Sequence, residues 1–332
     1  MSPPRLILLL AGPPLIVGGL YALTAPDLAG GADQARETAR VARAAADASG
    51  GPLDAACAAA AERIRPLLDR PAAVIVRPPY VLAGDVGEAE LTRRHQEVLV
   101  PLERALRASY FDRPPDRPVT IVMLKDEASF RRHAARLDGS GRNCYAGYYL
   151  QGANRMVLNL ATGDGTLAHE FTHALAHFDF PALPEWLDEG LAALHEESEF
   201  SPDGLELRGL PNWRRLHLVQ GHRKGLVRGL ESLVRQGTLR ANHQGVDYAH
   251  ARDFCLYLQQ RRLLAPYYRK FRTTCAEDPT GERALLELLG IDSLDEIETE
   301  FRRWVEAEFE RGRAWSSERG PIRRRFRDAA GR

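Results

Sequence analysis

The sequence has few lysines, no net charge and no closely paired cysteines. Only Lys125, Lys224 and Lys270 are lysines, and this arginine bias, with abundant alanine, indicates a high-GC bacterial genome. The 45 basic and 45 acidic side chains balance, so nothing in the overall charge favours a polyanionic partner such as nucleic acid. The four cysteines form no C-x-x-C pair, which argues against a cysteine-based zinc site. The remaining composition, 44% hydrophobic and 27% charged over 332 residues, is that of an ordinary globular protein.

The N-terminal region contains one long uncharged segment, "LILLLAGPPLIVGGLYAL", at residues 6–23. Its length is that of a helix that crosses a lipid bilayer. Arg5 precedes the segment and the next basic residue is Arg36, so the positive-inside rule places the rest of the chain outside the cytoplasm. We therefore predict a signal anchor or signal peptide over residues 1–31. The protein is expected to be a single-pass protein of the bacterial cell membrane, or a secreted one if the segment is cleaved.

The rest of the chain divides by composition into three parts. Residues 32–71 are alanine-rich and predict a helical stalk, and the arginine-rich residues 312–332 predict a disordered tail. Between them, residues 72–311 show strand patterns first and helix patterns afterwards, which predicts an α+β domain with two lobes. The predicted elements are a strand region at 72–84, a helix at 88–109, a strand at 118–124, a helix at 126–137, a β-hairpin at 144–161, and helices at 184–197, 211–224, 228–236, 246–264, 266–275, 280–289 and 293–311.

The segment "HEFTH" contains the residues with the clearest chemical meaning. His169 and His173 are four residues apart, so both rings leave the same face of a helix and can bind one ion at about 2.0–2.1 Å. Glu170 is rotated by about 100° from His169, which directs its carboxylate toward a water molecule on the ion. Chance produces such a motif in a chain of this length at a level of only a few per cent. Because two neutral ligands do not complete a zinc site, a third protein ligand is expected.

The third ligand is not decided by spacing. His177 lies four residues after His173, so the three histidines form a stripe along one face of the helix. It lies about 12 Å along the helix from His169, however, and cannot bind the same ion. Asp179 would complete an extended H-E-x-x-H-x-x-A-x-x-D motif, in which Ala176 replaces the glycine that metzincin enzymes use for a sharp turn. The next predicted helix carries three further acidic residues on one face: Glu185, Glu189 and Glu196.

The motif and the segment after it resemble a known family. H-E-F-T-H followed by "LPEWLDEGLAAL" is similar to the gluzincins, the thermolysin-like zinc metallopeptidases, and most of all to bacterial peptidase-MA-like domains with a W-L-x-E-G element. The resemblance covers roughly residues 75–310. It implies a two-lobe fold, with a small mixed sheet and an active-site helix before a mostly helical lobe, and Glu189 as the third zinc ligand. Thermolysin has an aspartate four residues after that ligand, where this chain has Ala193, so Asp188 or Asp179 is expected to orient a histidine instead.

The function that the resemblance implies is zinc-dependent hydrolysis of peptide bonds in an extracytoplasmic peptide or protein. Zinc would activate a water molecule, and Glu170 would act as general base and pass the proton to the leaving amine. Tyr248 is the candidate donor to the oxyanion, with His250 behind it. A strand of the predicted hairpin can pair with an extended peptide. The alternative function is a catalytically silent, peptidase-like scaffold that binds envelope proteins or peptides.

Overall fold

Five strands form a mixed sheet in the first half of the chain. The computed structural model describes residues 51–139 and 146–319. The strands are β1 (Ala73–Arg77), β2 (Tyr80–Gly84), β3 (Val119–Leu124), β4 (Gly147–Leu150) and β5 (Arg155–Asn159). Their order in the sheet is β1-β2-β3-β5-β4. The β2–β3 and β3–β5 pairs are parallel, whereas β1–β2 and β4–β5 are antiparallel. The predicted small mixed sheet and the predicted hairpin are confirmed, and β4 is an outer strand.

Helices cover both faces of this sheet and make up most of the later chain. They are α1 (Pro52–Ile64), α2 (Glu88–Arg94), α3 (Val100–Ser109), α4 (Glu127–Asp138), α5 (Asp164–Asp179), α6 (Glu185–His195), α7 (Arg215–Arg223), α8 (Leu230–Gln236), α9 (Gln244–Gln260), α10 (Leu264–Thr274), α11 (Glu282–Leu289) and α12 (Asp295–Arg319). The fold class is therefore mixed α and β with a predominance of helix, as the order of sequence patterns predicts.

Alternation along the strands directs side chains to two separate hydrophobic layers. Val81, Val122 and Val157 point to one layer, which contains residues of α1 and α4. Leu82 and Ile121 point to the other layer, which contains residues of α2, α3 and the motif helix α5. The sheet thus supports one side of the motif helix α5, and residues 167–176 of this helix are all buried.

The helix predicted at 88–109 is observed with one irregularity. Between α2 and α3, the five residues His95–Leu99 form a π-helical turn. Pro101 follows directly, near the start of α3. Because proline has no backbone N–H, it cannot continue the regular hydrogen-bond ladder, and a single widened turn is a common solution.

The second half of the chain differs from the prediction in two details. Two short strands, β6 (Ser198–Phe200) and β7 (Leu207–Gly209), form an antiparallel pair between α6 and α7 that the helix patterns did not indicate. The final helix continues to Arg319, past the boundary at residue 311 where the tail was predicted to begin.

The hydrophobic segment 6–23, the first part of the stalk and residues 320–332 lie outside the described residues. Within the described part, no helix is both long enough and apolar enough to cross a membrane.

Close approach of helices brings α6 into the centre of the molecule. A Cβ atom on Gly190 would lie 2.9 Å from the carbonyl oxygen of Ala251 in α9, so only glycine allows this packing. A Cβ atom on Gly165, near the start of α5, would lie 2.4 Å from the carbonyl oxygen of Glu196. Trp186 packs at a tilt against Phe254 of α9 and stacks on Tyr267 of α10. Trp186 therefore anchors α6 to the later helices α9 and α10.

Candidate metal centre

The two motif histidines converge at the nitrogen atoms that face the next helix. The Nε2 atoms of His169 and His173 are 3.1 Å apart, and the ring planes meet at 75°. Both rings are almost completely buried, with 2% and 7% exposure. One helical turn separates the residues, and their shared face is the one covered by α6. The predicted juxtaposition of these two side chains is therefore present.

Glu189 supplies a third atom to the same point. Its Oε2 atom is 3.5 Å from Nε2 of His169 and 3.5 Å from Nε2 of His173. This oxygen is buried and has no hydrogen-bond partner among the described residues. A tetrahedral zinc ion with bonds of about 2.0–2.1 Å separates its ligand atoms by about 3.3 Å, close to the three observed separations. A buried carboxylate oxygen without a hydrogen bond is costly, and a cation bound at this point would reduce that cost.

Glu170 lies beside this triangle. One ligand-type atom from each of His169, Glu170 and His173 falls within 4.8 Å of the others, and all three residues are buried. This His169–Glu170–His173 group can hold a metal ion. Glu189 lies within 3.5 Å of both histidine nitrogens. Burial raises the pKa of Glu170, although the two histidines partly oppose that effect.

Each histidine is also approached by a carboxylate on its far side. The Nδ1 atom of His169 is 3.0 Å from Oε1 of Glu196, and Nδ1 of His173 is 2.9 Å from Oδ1 of Asp188. Both distances are within the range of an ion pair. A carboxylate oxygen accepts a hydrogen bond, so the contacts favour a proton on each Nδ1. The lone pairs of the two Nε2 atoms are then directed at the proposed ion.

The charges of the metal-free site favour a cation. Burial alone would lower the pKa of His173, but Asp188 and Glu189 outweigh it and raise that pKa well above its ordinary value. Burial would raise the pKa of Glu189, but the two histidines lower it to about 2. Glu189 is therefore an anion at neutral pH, and the raised pKa of His173 means that a metal ion would compete with a proton at that ring.

Arg214 forms an outer support for the site. Its Nε and Nη2 atoms donate to the two oxygens of Glu196 at 2.9 Å and 2.6 Å. The guanidinium carbon also lies 5.8 Å from the ring centroid of Tyr248. Tyr248 is buried near the residues that support His169, and its role as oxyanion donor stays a prediction. His250 is fully buried and stacks on Phe301 of α12, so it is not available to a substrate.

The other acidic candidates for the third ligand are occupied elsewhere. Asp179 accepts hydrogen bonds from the backbone of Asp112 and Arg113, from Tyr268 and from Arg272. Glu185 accepts a hydrogen bond from the backbone N–H of Leu239. Glu196 contacts His169 at the nitrogen that faces away from the proposed ion. The extended motif that ends at Asp179 is therefore not supported by this geometry.

Two parts of the site were not assigned from the sequence. Arg214 precedes α7 in a segment without a recognisable motif, and Glu196 was considered only as a possible ligand. Both act through tertiary contacts, because 18 positions separate Glu196 from Arg214 along the chain.

Comparison of the whole chain with protein-family models and with curated proteins found no significant match.

Proposed function

We propose that this protein is a zinc-dependent metallopeptidase with the two-lobe organisation of the thermolysin-like gluzincins. His169, His173 and Glu189 would hold the ion, and Glu170 would act as general base. The observation that carries the proposal is the convergence of two imidazole nitrogens and one carboxylate oxygen, separated by 3.1 Å and 3.5 Å, beside a second buried acid, Glu170. Helix geometry alone brings the two histidines together, whereas the carboxylate comes from a separate helix.

The residues of this chain have distinct parts in the proposed reaction. A zinc ion bound here would supply Lewis acidity, which activates water and polarises the scissile carbonyl. Glu170 would accept a proton from the attacking water and deliver it to the leaving amine. Its raised pKa suits this exchange, because a general base works best when its pKa is near the working pH. Asp188 and Glu196 would hold the two imidazoles in orientation during the reaction.

The peptide substrate would bind at the outer strand of the sheet, β4. β4 pairs with β5 and ends the strand order, and α5 packs against β4. An extended peptide would add to β4 by backbone hydrogen bonds, which would place a peptide bond near the motif helix. Tyr248 would donate to the developing oxyanion. The segment at residues 6–23 would keep the domain at the outer face of the bacterial cell membrane.

The test is a comparison of wild type with Glu170→Gln. We expect one zinc ion per chain in both proteins, and cleavage of a broad peptide library by wild type only. Glu62→Gln, which changes an exposed glutamate in α1, is the matched control and should cleave like wild type. Equal activity of wild type and Glu170→Gln would overturn the mechanism. Stoichiometric zinc without cleavage of any peptide by wild type would favour the silent scaffold that binds envelope proteins or peptides.

A further inference from the structure

We propose that His177, the third histidine of the stripe, is a positioning residue that holds the zinc ligand His173 in place through Asp188. The inference rests on the proposed metal site and assigns a role to a residue that helix geometry excludes from the ion. It also connects the metal site to the outer strand β4.

Asp188 bridges the two histidines with its two oxygens. Oδ1 lies 2.9 Å from Nδ1 of His173, and Oδ2 lies 3.2 Å from Nε2 of His177. A carboxylate oxygen accepts a hydrogen bond, so the proton of this contact belongs to Nε2 of His177. With both oxygens engaged, rotation of the carboxylate group would break two contacts at once. The orientation of the His173 ring therefore depends on His177 as well as on Asp188.

His177 is itself held on two sides. Its ring lies 5.4 Å from the ring of Tyr149 at 37°, and it stacks on the ring of His173 at 6.2 Å and 29°. The hydroxyl of Tyr149 is hydrogen-bonded to the side-chain amide of Asn154 at the turn between β4 and β5. Because Tyr149 belongs to β4, contacts run from the outer strand through His177 and Asp188 to His173.

The two zinc ligands are thus supported in different ways. Arg214 fixes the carboxylate behind His169 with two hydrogen bonds, whereas His177 fixes the carboxylate behind His173 with one. This arrangement explains why the helix carries three histidines at a spacing of four residues. The first two residues meet the ion, and the third, one helical turn further on, meets the carboxylate that orients the second.

The test measures zinc affinity, by competition with a chelator, and the absorption spectrum of the cobalt-substituted protein. His177→Phe keeps a ring for Tyr149 but loses the donor, whereas His177→Gln keeps an N–H donor. We expect His177→Phe to weaken zinc binding about 10-fold or more, with a changed cobalt spectrum, and His177→Gln to stay within about 3-fold of wild type. His243→Phe, a substitution outside the cluster, is the control and should bind like wild type.

A second arm tests whether His177 acts through Asp188. In an Asp188→Asn background, His177→Phe should change zinc affinity by less than about 2-fold, because the contact it serves is already altered. Unchanged affinity of His177→Phe, or equal loss in His177→Phe and His177→Gln, would overturn the inference while leaving the metal site intact. Absence of zinc binding by wild type would overturn the metal site and this inference together. Glu170→Gln activity is independent of these measurements, so failure of the peptidase mechanism is recognised separately.

Discussion

The pair formed by Arg214 and Glu196 offers a stability test of the support behind His169. The side chains are 5% and 17% exposed, and two hydrogen bonds join them. Burial would raise the pKa of Glu196, but the positive charge of Arg214 and the contact with His169 hold it well below its usual range. Replacing Arg214 with methionine therefore leaves a buried carboxylate without its main partner.

The magnitude follows from the loss of one member of a buried ion pair. Such losses cost about 3–5 kcal/mol, and the partial exposure of Glu196 favours the lower end, about 3 kcal/mol. Glu196→Gln removes the stranded charge, so the double variant should be more stable than Arg214→Met by about 1–2 kcal/mol. The size of this recovery measures how much of the cost comes from the unpaired carboxylate rather than from lost packing of the arginine.

The assay is equilibrium urea unfolding of wild type, both single variants and the double variant. All four proteins are kept free of metal by chelation, so that zinc binding does not contribute to the free energy of unfolding. Additive effects of the two substitutions would refute the pairing, and so would an Arg214→Met variant that unfolds at the wild-type urea concentration.

Three further predictions concern other parts of the molecule. Glu189→Ala should reduce bound zinc in purified protein far below one ion per chain, and full occupancy by metal analysis would contradict its role as ligand. Asp179→Ala should lower the free energy of unfolding by about 3–5 kcal/mol, because Arg272 and two backbone N–H groups lose a common acceptor, and Asp179→Asn should lose less. Burial, more than the nearby charges, lowers the pKa of His250 from 6.5 to about 3. Below about pH 6.5, His250 is therefore protonated in the unfolded chain but neutral in the folded chain. The free energy of unfolding falls by about 1.4 kcal/mol per pH unit as the pH decreases from there toward 3. Between pH 7 and pH 5, His250→Leu should consequently lose about 2 kcal/mol less stability than wild type in urea unfolding.

The features that sequence patterns predicted are those set by local geometry. A spacing of four residues brings His169 and His173 to one face of α5 because an α-helix repeats every 3.6 residues. Apolar segments likewise located the sheet, although the single strand region predicted at 72–84 contains two strands, β1 and β2. Among the three glutamates on one face of the next helix, periodicity could not choose, and the resemblance favoured Glu189. The observed distances agree with that choice.

The features that remained unpredicted depend on packing between distant segments. Arg214 has no local pattern around it, and its partner Glu196 lies in a different part of the fold. Gly190 is a second example. Only glycine fits at this position because the carbonyl of Ala251 in α9 lies where a Cβ atom would be, and the sequence does not show that contact. The distance of His177 along the helix excludes it as a ligand of the ion proposed between His169 and His173. Its contact with Asp188 required the angle between α5 and α6, which the sequence does not contain.

The central claim is that one zinc ion lies between α5 and α6. The most direct measurement is X-ray diffraction from crystals of the zinc-loaded protein at energies on either side of the zinc absorption edge. We expect a single anomalous peak within about 2.0–2.2 Å of Nε2 of His169, Nε2 of His173 and a carboxylate oxygen of Glu189. A peak bound by Asp179 or at another site, or the absence of any peak beside the two histidines, would contradict it.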